Sequence, residues 1–196
     1  MMLGIYGNIG YGKNLLMVEF AKWFNEQKIP VKSNFHINLP NCAFITIDQF
    51  LELEADNKNR TLVLIDEPYA WGMDSRRSTT NIDVAMSRKG LQSRKSGIDI
   101  IYATQLPSSI DKRFRFLSRS IFLALPPDPF GYHYLYMGKQ YKMIHINMDE
   151  AQELYKLYDT LEHIEPTFSE GYGEDDETMQ EAVKYQGKKR GVSSYE

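Results

Sequence analysis

Apolar residues follow two rhythms along this chain. Residues 2–6 (MLGIY), 61–65 (TLVLI), 98–103 (IDIIYA) and 119–125 (RSIFLAL) are short, almost continuous apolar runs, as in strands covered on both faces of a parallel sheet. Residues 15–24 (LLMVEFAKWF) instead repeat their apolar positions at helical spacing. Such strands alternating with helical segments predict an α/β fold with a mostly parallel central sheet flanked by helices. Residues 31–35 (VKSNF) alternate as a further strand, and residues 42–45 form another short apolar run. Thr46 and Gln49 have the spacing of a capping box, opening a helix that reaches about Glu54.

In the second half, residues 81–96 read as a helix with Ile82, Ala85, Met86 and, less regularly, Leu91 on one side. Gly90 should weaken or break it, and Gly97 should stop it. Ser109 is the expected cap of a short basic helix over residues 110–117. Residues 132–137 and 140–146, joined by Gly138 and Lys139, predict an antiparallel hairpin. Residues 149–161 repeat apolar side chains as an amphipathic helix would. From residue 166 the composition turns to Gly, Asp, Glu, Lys and Ser. The expectation is one domain over residues 1–165, then a charged tail over 166–196 that is mobile or orders on a partner.

Composition narrows the classes. A length of 196 residues gives one well-cored domain. A net charge of −3 excludes the global basic field of a whole-surface nucleic-acid binder, so any such contact must be local. The lone Cys42 permits no internal disulfide and fits a reducing compartment. No apolar run approaches the roughly 20 residues of a membrane span, and residues 1–6 are too short and uncharged for a secretory signal. The expected setting is therefore soluble and cytoplasmic.

The candidate chemistry begins at residues 7–14, GNIGYGKN, between the first strand and the first helix. Phosphate binding there needs glycines whose backbone N–H groups can curl around an anion, a helix N-terminus aimed at it, and a lysine for the outer phosphates. Gly7, Gly10, Gly12 and Lys13 supply these parts, within a candidate loop of Gly7, Asn8, Ile9, Gly10, Tyr11, Gly12, Lys13, Asn14 and Leu15. Asn14 stands where the pattern has Ser or Thr, whose hydroxyl helps to hold magnesium; its amide oxygen can also ligate a hard cation. The run 61–65 ends in Asp66 and Glu67, carboxylates at the carboxyl end of a buried strand, where open α/β sheets bind ligands. Asp66 is the candidate for Mg2+ and Glu67 the candidate base for the attacking water. Gln105, at the tip of strand 98–103, can hydrogen-bond both that water and a γ-phosphate.

Residues 94–111 (RKSGIDIIYATQLPSSID) resemble the segment of FtsK-type and HerA-type DNA-translocating ATPases in which an arginine precedes a glycine turn, an apolar strand and Ala-Thr-Gln. With residues 111–117 (DKRFRFL), the stretch also resembles zonula occludens toxin-like phage assembly ATPases. GNIGYGKN and TLVLIDE extend the resemblance over about residues 2 to 125, in the same order. It implies a RecA-like P-loop NTPase of the additional-strand, catalytic-glutamate type, using ATP and Mg2+ in a homo-oligomeric, typically hexameric ring that moves double-stranded DNA. By the same resemblance Arg94 is the finger that reaches a neighbouring subunit's γ-phosphate, with Arg88 a competitor and a solvated helix-end arginine the plainer alternative. Leu106 departs from the arginine common after Thr-Gln. Zonula occludens toxin-like proteins carry a membrane span after this domain; here the sequence has none.

The resemblance makes a virus genome-packaging ATPase the leading expectation. A filamentous-phage-like morphogenesis ATPase is the same-class rival, and a nucleotide-binding subunit that does not hydrolyse, suggested by Asn14, is the rival of another class. A capsid or membrane protein could be met through the tail. Arg76, Arg77, Lys89, Lys112, Arg113 and Arg115 are the candidate DNA-backbone contacts, each equally readable as ordinary surface charge.

Overall fold

The structure, a computed structural model, describes residues 1–53, 60–71, 73, 81–93, 95–118, 120–159 and 162, without the side chains of residues 81–83 and 87. Eight strands form a single sheet: β1 (Met2–Tyr6), β2 (Val31–Ser33), β3 (Cys42–Phe44), β4 (Thr61–Asp66), β5 (Ile98–Thr104), β6 (Ser120–Ala124), β7 (Gly131–Met137) and β8 (Tyr141–Asn147). Their order is β3-β2-β4-β5-β1-β6-β7-β8. Pairing is parallel from β3 to β6 and antiparallel between β6, β7 and β8. The expected α/β fold, with its mostly parallel sheet, is present, and the hairpin β7–β8 extends that sheet.

The continuous apolar runs make a sheet with two buried faces because alternate side chains enter different cores. On one face Leu3, Ile5, Leu62, Leu64 and Ile101 pack against Leu15, Leu16, Val18 and Phe24 of α1 (Lys13–Glu26), with Ala151 and Leu154 of α5 (Met148–Tyr155) completing that layer. On the other, Met2, Val63, Ile65 and Ile100 meet Phe50 of α2 (Ile47–Glu52), Met86 of α3 (Asn81–Gln92) and Phe114 of α4 (Lys112–Leu117). Each such fully buried aliphatic side chain contributes about 1.5–3 kcal/mol. No described helix is long and apolar enough to cross a membrane.

Local signals decide the helix ends. The capping box predicted at Thr46 and Gln49 forms, with both reciprocal hydrogen bonds present. Four expectations need correction. Helix α3 runs through Gly90 without a break, because that glycine faces another element: a Cβ there would lie 3.0 Å from Phe114 Cε1. Leu91 is 60% exposed rather than on the apolar side. The basic helix is capped by Asp111, whose carboxylate accepts from Arg113 N at 2.7 Å, and Ser109 belongs to a 3-10 turn over Pro107–Ser109. Helix α5 is shorter than its periodicity suggests, opening with its own capping box at Asn147 and Glu150 and ending at Tyr155. Tyr158 then forms an antiparallel bridge with Ile37. The tail from residue 166 lies outside the described residues.

Candidate active site

Register brings the site together. Asp66, the last residue of β4, is level with Ala103 of β5, and Thr104 of β5 is level with Tyr6 of β1. The next residues in each strand's path, Glu67, Gln105 and Gly7, therefore leave the sheet side by side at its carboxyl edge. Strand β5 lies between the glycine-loop strand and the acidic strand.

The loop wraps as its glycines require. Gly10 and Gly12 adopt φ values of 79° and 77°, which side chains with a Cβ resist. Gly7 is tight for another reason: a Cβ there would meet Ala124 Cβ at 2.8 Å. Within the loop Tyr11 N donates to Asn8 O at 3.3 Å, and Lys13 Nζ donates to the same carbonyl at 3.1 Å. Ile9 projects outward, 76% exposed, whereas Leu15 is fully buried under the first turn of α1. Lys13 itself is only 8% exposed, and burial lowers its pKa against the opposing pull of Asp66 and Glu67.

The acidic pair is set with equal care. Asp66 is 8% exposed, and burial raises its pKa despite the hydrogen bond from Asn14, the charge of Lys13 and the N–H of Glu67. Asn14 Nδ2 donates to Asp66 Oδ2 at 2.6 Å, so the same amide carries its acceptor oxygen close to the carboxylate. Glu67 has φ 48°, a left-handed conformation costing about 1–2 kcal/mol. Its N–H is held by Ala103 O at 3.1 Å and by Asp66 Oδ1 at 3.0 Å. Burial first, and the Asp66 charge second, push the Glu67 carboxyl up to about 7. Gln105 Nε2 donates to Glu67 Oε1 at 3.1 Å. Burial and the two carboxylates also push Tyr69, at the 3-10 turn Pro68–Trp71, up to about 12.

Two supports of the site leave little trace in the local sequence. Asn34, just past β2 and 3% exposed, donates from Nδ2 to Asp66 O and accepts at Oδ1 from Asp66 N, both at 2.8 Å. Its available signal was a polar residue at the carboxyl end of a parallel strand. Tyr134 of β7 is fully buried and donates its hydroxyl to Gly12 O at 2.8 Å, while Tyr132 packs on the same glycine and accepts a 2.5 Å hydrogen bond from Tyr155. Only the hairpin's place in the sheet reveals that contact.

No protein-family model matches the chain, and no curated sequence matches it. Solved structures do. The N-terminal domain of zonular occludens toxin from Neisseria meningitidis aligns with a TM-score of 0.62 at 20% identity, over 81% of this chain and 98% of that one. The genome packaging NTPase B204 from Sulfolobus turreted icosahedral virus 2, in complex with ATP-gammaS, aligns with a TM-score of 0.59 at 13% identity, over 75% and 97%. The pCW3 conjugation coupling protein TcpA aligns with a TM-score of 0.54 at 11% identity, over 79% and 64%. The chain has the P-loop NTPase fold. Its structural neighbours are P-loop ATPases of the FtsK/HerA type, the group that its motifs resemble.

On the P-loop fold the geometry assembles Lys13, Asn14, Asp66, Glu67 and Gln105 into one locality. Arg94 lies outside the described residues, and Arg88 is exposed on α3. The residues here that could hold Mg2+ offer hard oxygens, the Asp66 carboxylate and the Asn14 carbonyl, a donor type that fits a cation which completes its shell with water and phosphate. No group of three or more His, Cys, Asp or Glu gathers among the described residues.

Proposed function

We propose that the chain hydrolyses ATP and couples hydrolysis to DNA translocation, as a ring of identical subunits, in the packaging of a double-stranded viral genome. The observation that carries the reading is the contact of Gln105 with Glu67 beside Asp66 and the P-loop lysine. A binding-only module needs no glutamate held near neutral pKa and no amide aligned on it.

In this reading the loop N–H groups and Lys13 hold the phosphates of ATP, and Asp66 with Asn14 would hold Mg2+, which would neutralise phosphate charge. Glu67 accepts the proton of the attacking water, and Gln105 orients that water against the γ-phosphate. Arg94, or Arg88, completes the charge from the adjacent subunit. That the solved neighbours include a genome packaging NTPase held with ATP-gammaS supports the choice of nucleotide and process. A capsid or membrane partner is assigned to residues 166–196.

A filamentous-phage-like morphogenesis ATPase is the second reading, favoured by the alignment that spans 98% of the zonular occludens toxin domain. Triplex displacement separates the two: a packaging motor given ATP and Mg2+ strips a third strand from duplex DNA and fails with a non-hydrolysable analogue. Hydrolysis without displacement on any duplex would refute duplex translocation.

A further inference from the structure

The structure prunes the basic residues that could meet nucleic acid. Arg113 forks onto Asp111, with Nε and Nη2 each donating at 2.9 Å, and Lys89 Nζ is spent on the carbonyls of Leu51 and Leu53. Arg76 and Arg77 lie outside the described residues. What remains on α4 is Lys112 and Arg115, with an aromatic side chain beside them. Phe114 is fully buried, so helical spacing turns Lys112, Arg115 and Phe116 outward together, at i, i+3 and i+4. Lys112 and Arg115 are exposed, and Phe116 is 87% exposed, the most exposed large apolar side chain described.

An aromatic ring left in water beside two cations, on a chain of net charge −3, is a local feature with a specific complement. Phosphates meet the cations, and a flat unpaired base meets the ring. We propose that this face of α4 binds single-stranded DNA, with Lys112 and Arg115 on the backbone and Phe116 stacked on a base. A duplex would reach the ring only where its strands part, and otherwise offers phosphates alone.

The face is also tied to the candidate active site. Strand β5 runs into Gln105, then through the turn Pro107–Ser109 into α4. The hydroxyl of Tyr102, in β5, shares 2.9 Å hydrogen bonds with Ser118 Oγ at the end of α4 and with the hydroxyl of Tyr6, which precedes Gly7. A strand held on α4 thus lies one short turn from Gln105 and one hydrogen-bonded tyrosine pair from the P-loop.

The proposal rests on the reading of the chain as a DNA-binding motor and goes beyond it, adding a single-strand contact to the duplex substrate. Its test is fluorescence anisotropy of a labelled oligo-thymidylate and of a duplex of equal length, across a salt series, with the full chain and its Phe116→Ala and Lys112→Ala/Arg115→Ala variants; circular dichroism melting and binding of a fluorescent ATP analogue confirm that each variant is folded. Phe116→Ala should weaken single-strand binding about 5- to 150-fold, leave the salt slope alone and barely touch duplex binding. The double variant should lower the slope of log affinity against log salt by about 1.4, about 0.7 for each phosphate no longer neutralised. Single-strand affinity unchanged in Phe116→Ala, or equal losses on both DNA forms, overturns the stacking contact. Unchanged DNA binding with altered sedimentation makes the face a subunit contact and also overturns it. If wild type binds DNA and hydrolyses ATP while the variants match it, only this inference fails; if wild type binds neither DNA form, the motor reading fails with it.

Discussion

The side-chain amide of Asn34 closes two 2.8 Å hydrogen bonds on the backbone of Asp66, one to its carbonyl and one from its N–H. The amide imitates the next rung of the β2–β4 ladder after β2 has ended, and so fixes where the Asp66 carboxylate and the strained Glu67 begin.

Asn34→Ala should therefore cost stability of about 1–3 kcal/mol, from buried backbone groups left unpaired. Its functional signature should be a fall in turnover of about 10- to 100-fold, as expected for displaced catalytic groups. ATP affinity should change little, since the P-loop is untouched. Turnover measured beside equilibrium ATP binding checks the split; a loss of binding with normal turnover would contradict it.

Glu67→Gln keeps the shape and removes the base. Hydrolysis should fall by about 100- to 10,000-fold, with ATP still bound. Unchanged turnover would reject Glu67 as the group that takes the water's proton.

Because burial and Asp66 push Glu67 up to about 7, kcat/KM should climb with pH through about 7 as that carboxyl ionises. A limb centred near the ordinary glutamate value of 4.5 would contradict the described geometry. Stability should run the other way. The folded chain binds more protons than the unfolded one between 4.5 and about 7, so melting temperature should fall as pH rises through that window, and fall less in Glu67→Gln.

Gly12 has no room for a side chain: its φ is 77°, and a Cβ would lie 2.5 Å from Tyr132 Cδ1 and 2.7 Å from the Tyr134 hydroxyl. Gly12→Ala should abolish ATP binding and lower the melting temperature. Tyr134→Phe, which loses only the bond to Gly12 O, should cost about 1 kcal/mol and weaken ATP binding without abolishing it.

What the sequence made legible was local or periodic. The strand-loop-helix around Gly7 to Asn14 and the acidic end of β4 are contiguous, and their residues announce them. Glu67 and Gln105 could be paired as candidates because parallel sheets gather ligands at their carboxyl edge. Gly90 misled because a helix-breaking propensity of about 1 kcal/mol yields to the close approach of Phe114. Ser109 misled because two capping residues, Ser109 and Asp111, compete two positions apart and geometry chose the carboxylate. Asn34 and Tyr134 act on residues 32 and 122 positions away, and no local pattern encodes such pairings.

The most direct measurement is ATP hydrolysis by the purified chain with Mg2+, with and without DNA, beside a Lys13→Ala control. Mg2+-dependent turnover, raised by DNA and lost in the control, is the predicted result, and it would make Asn14 a working substitute for the usual hydroxyl residue. ATP bound tightly by an assembled ring with no turnover under any DNA condition would contradict the account.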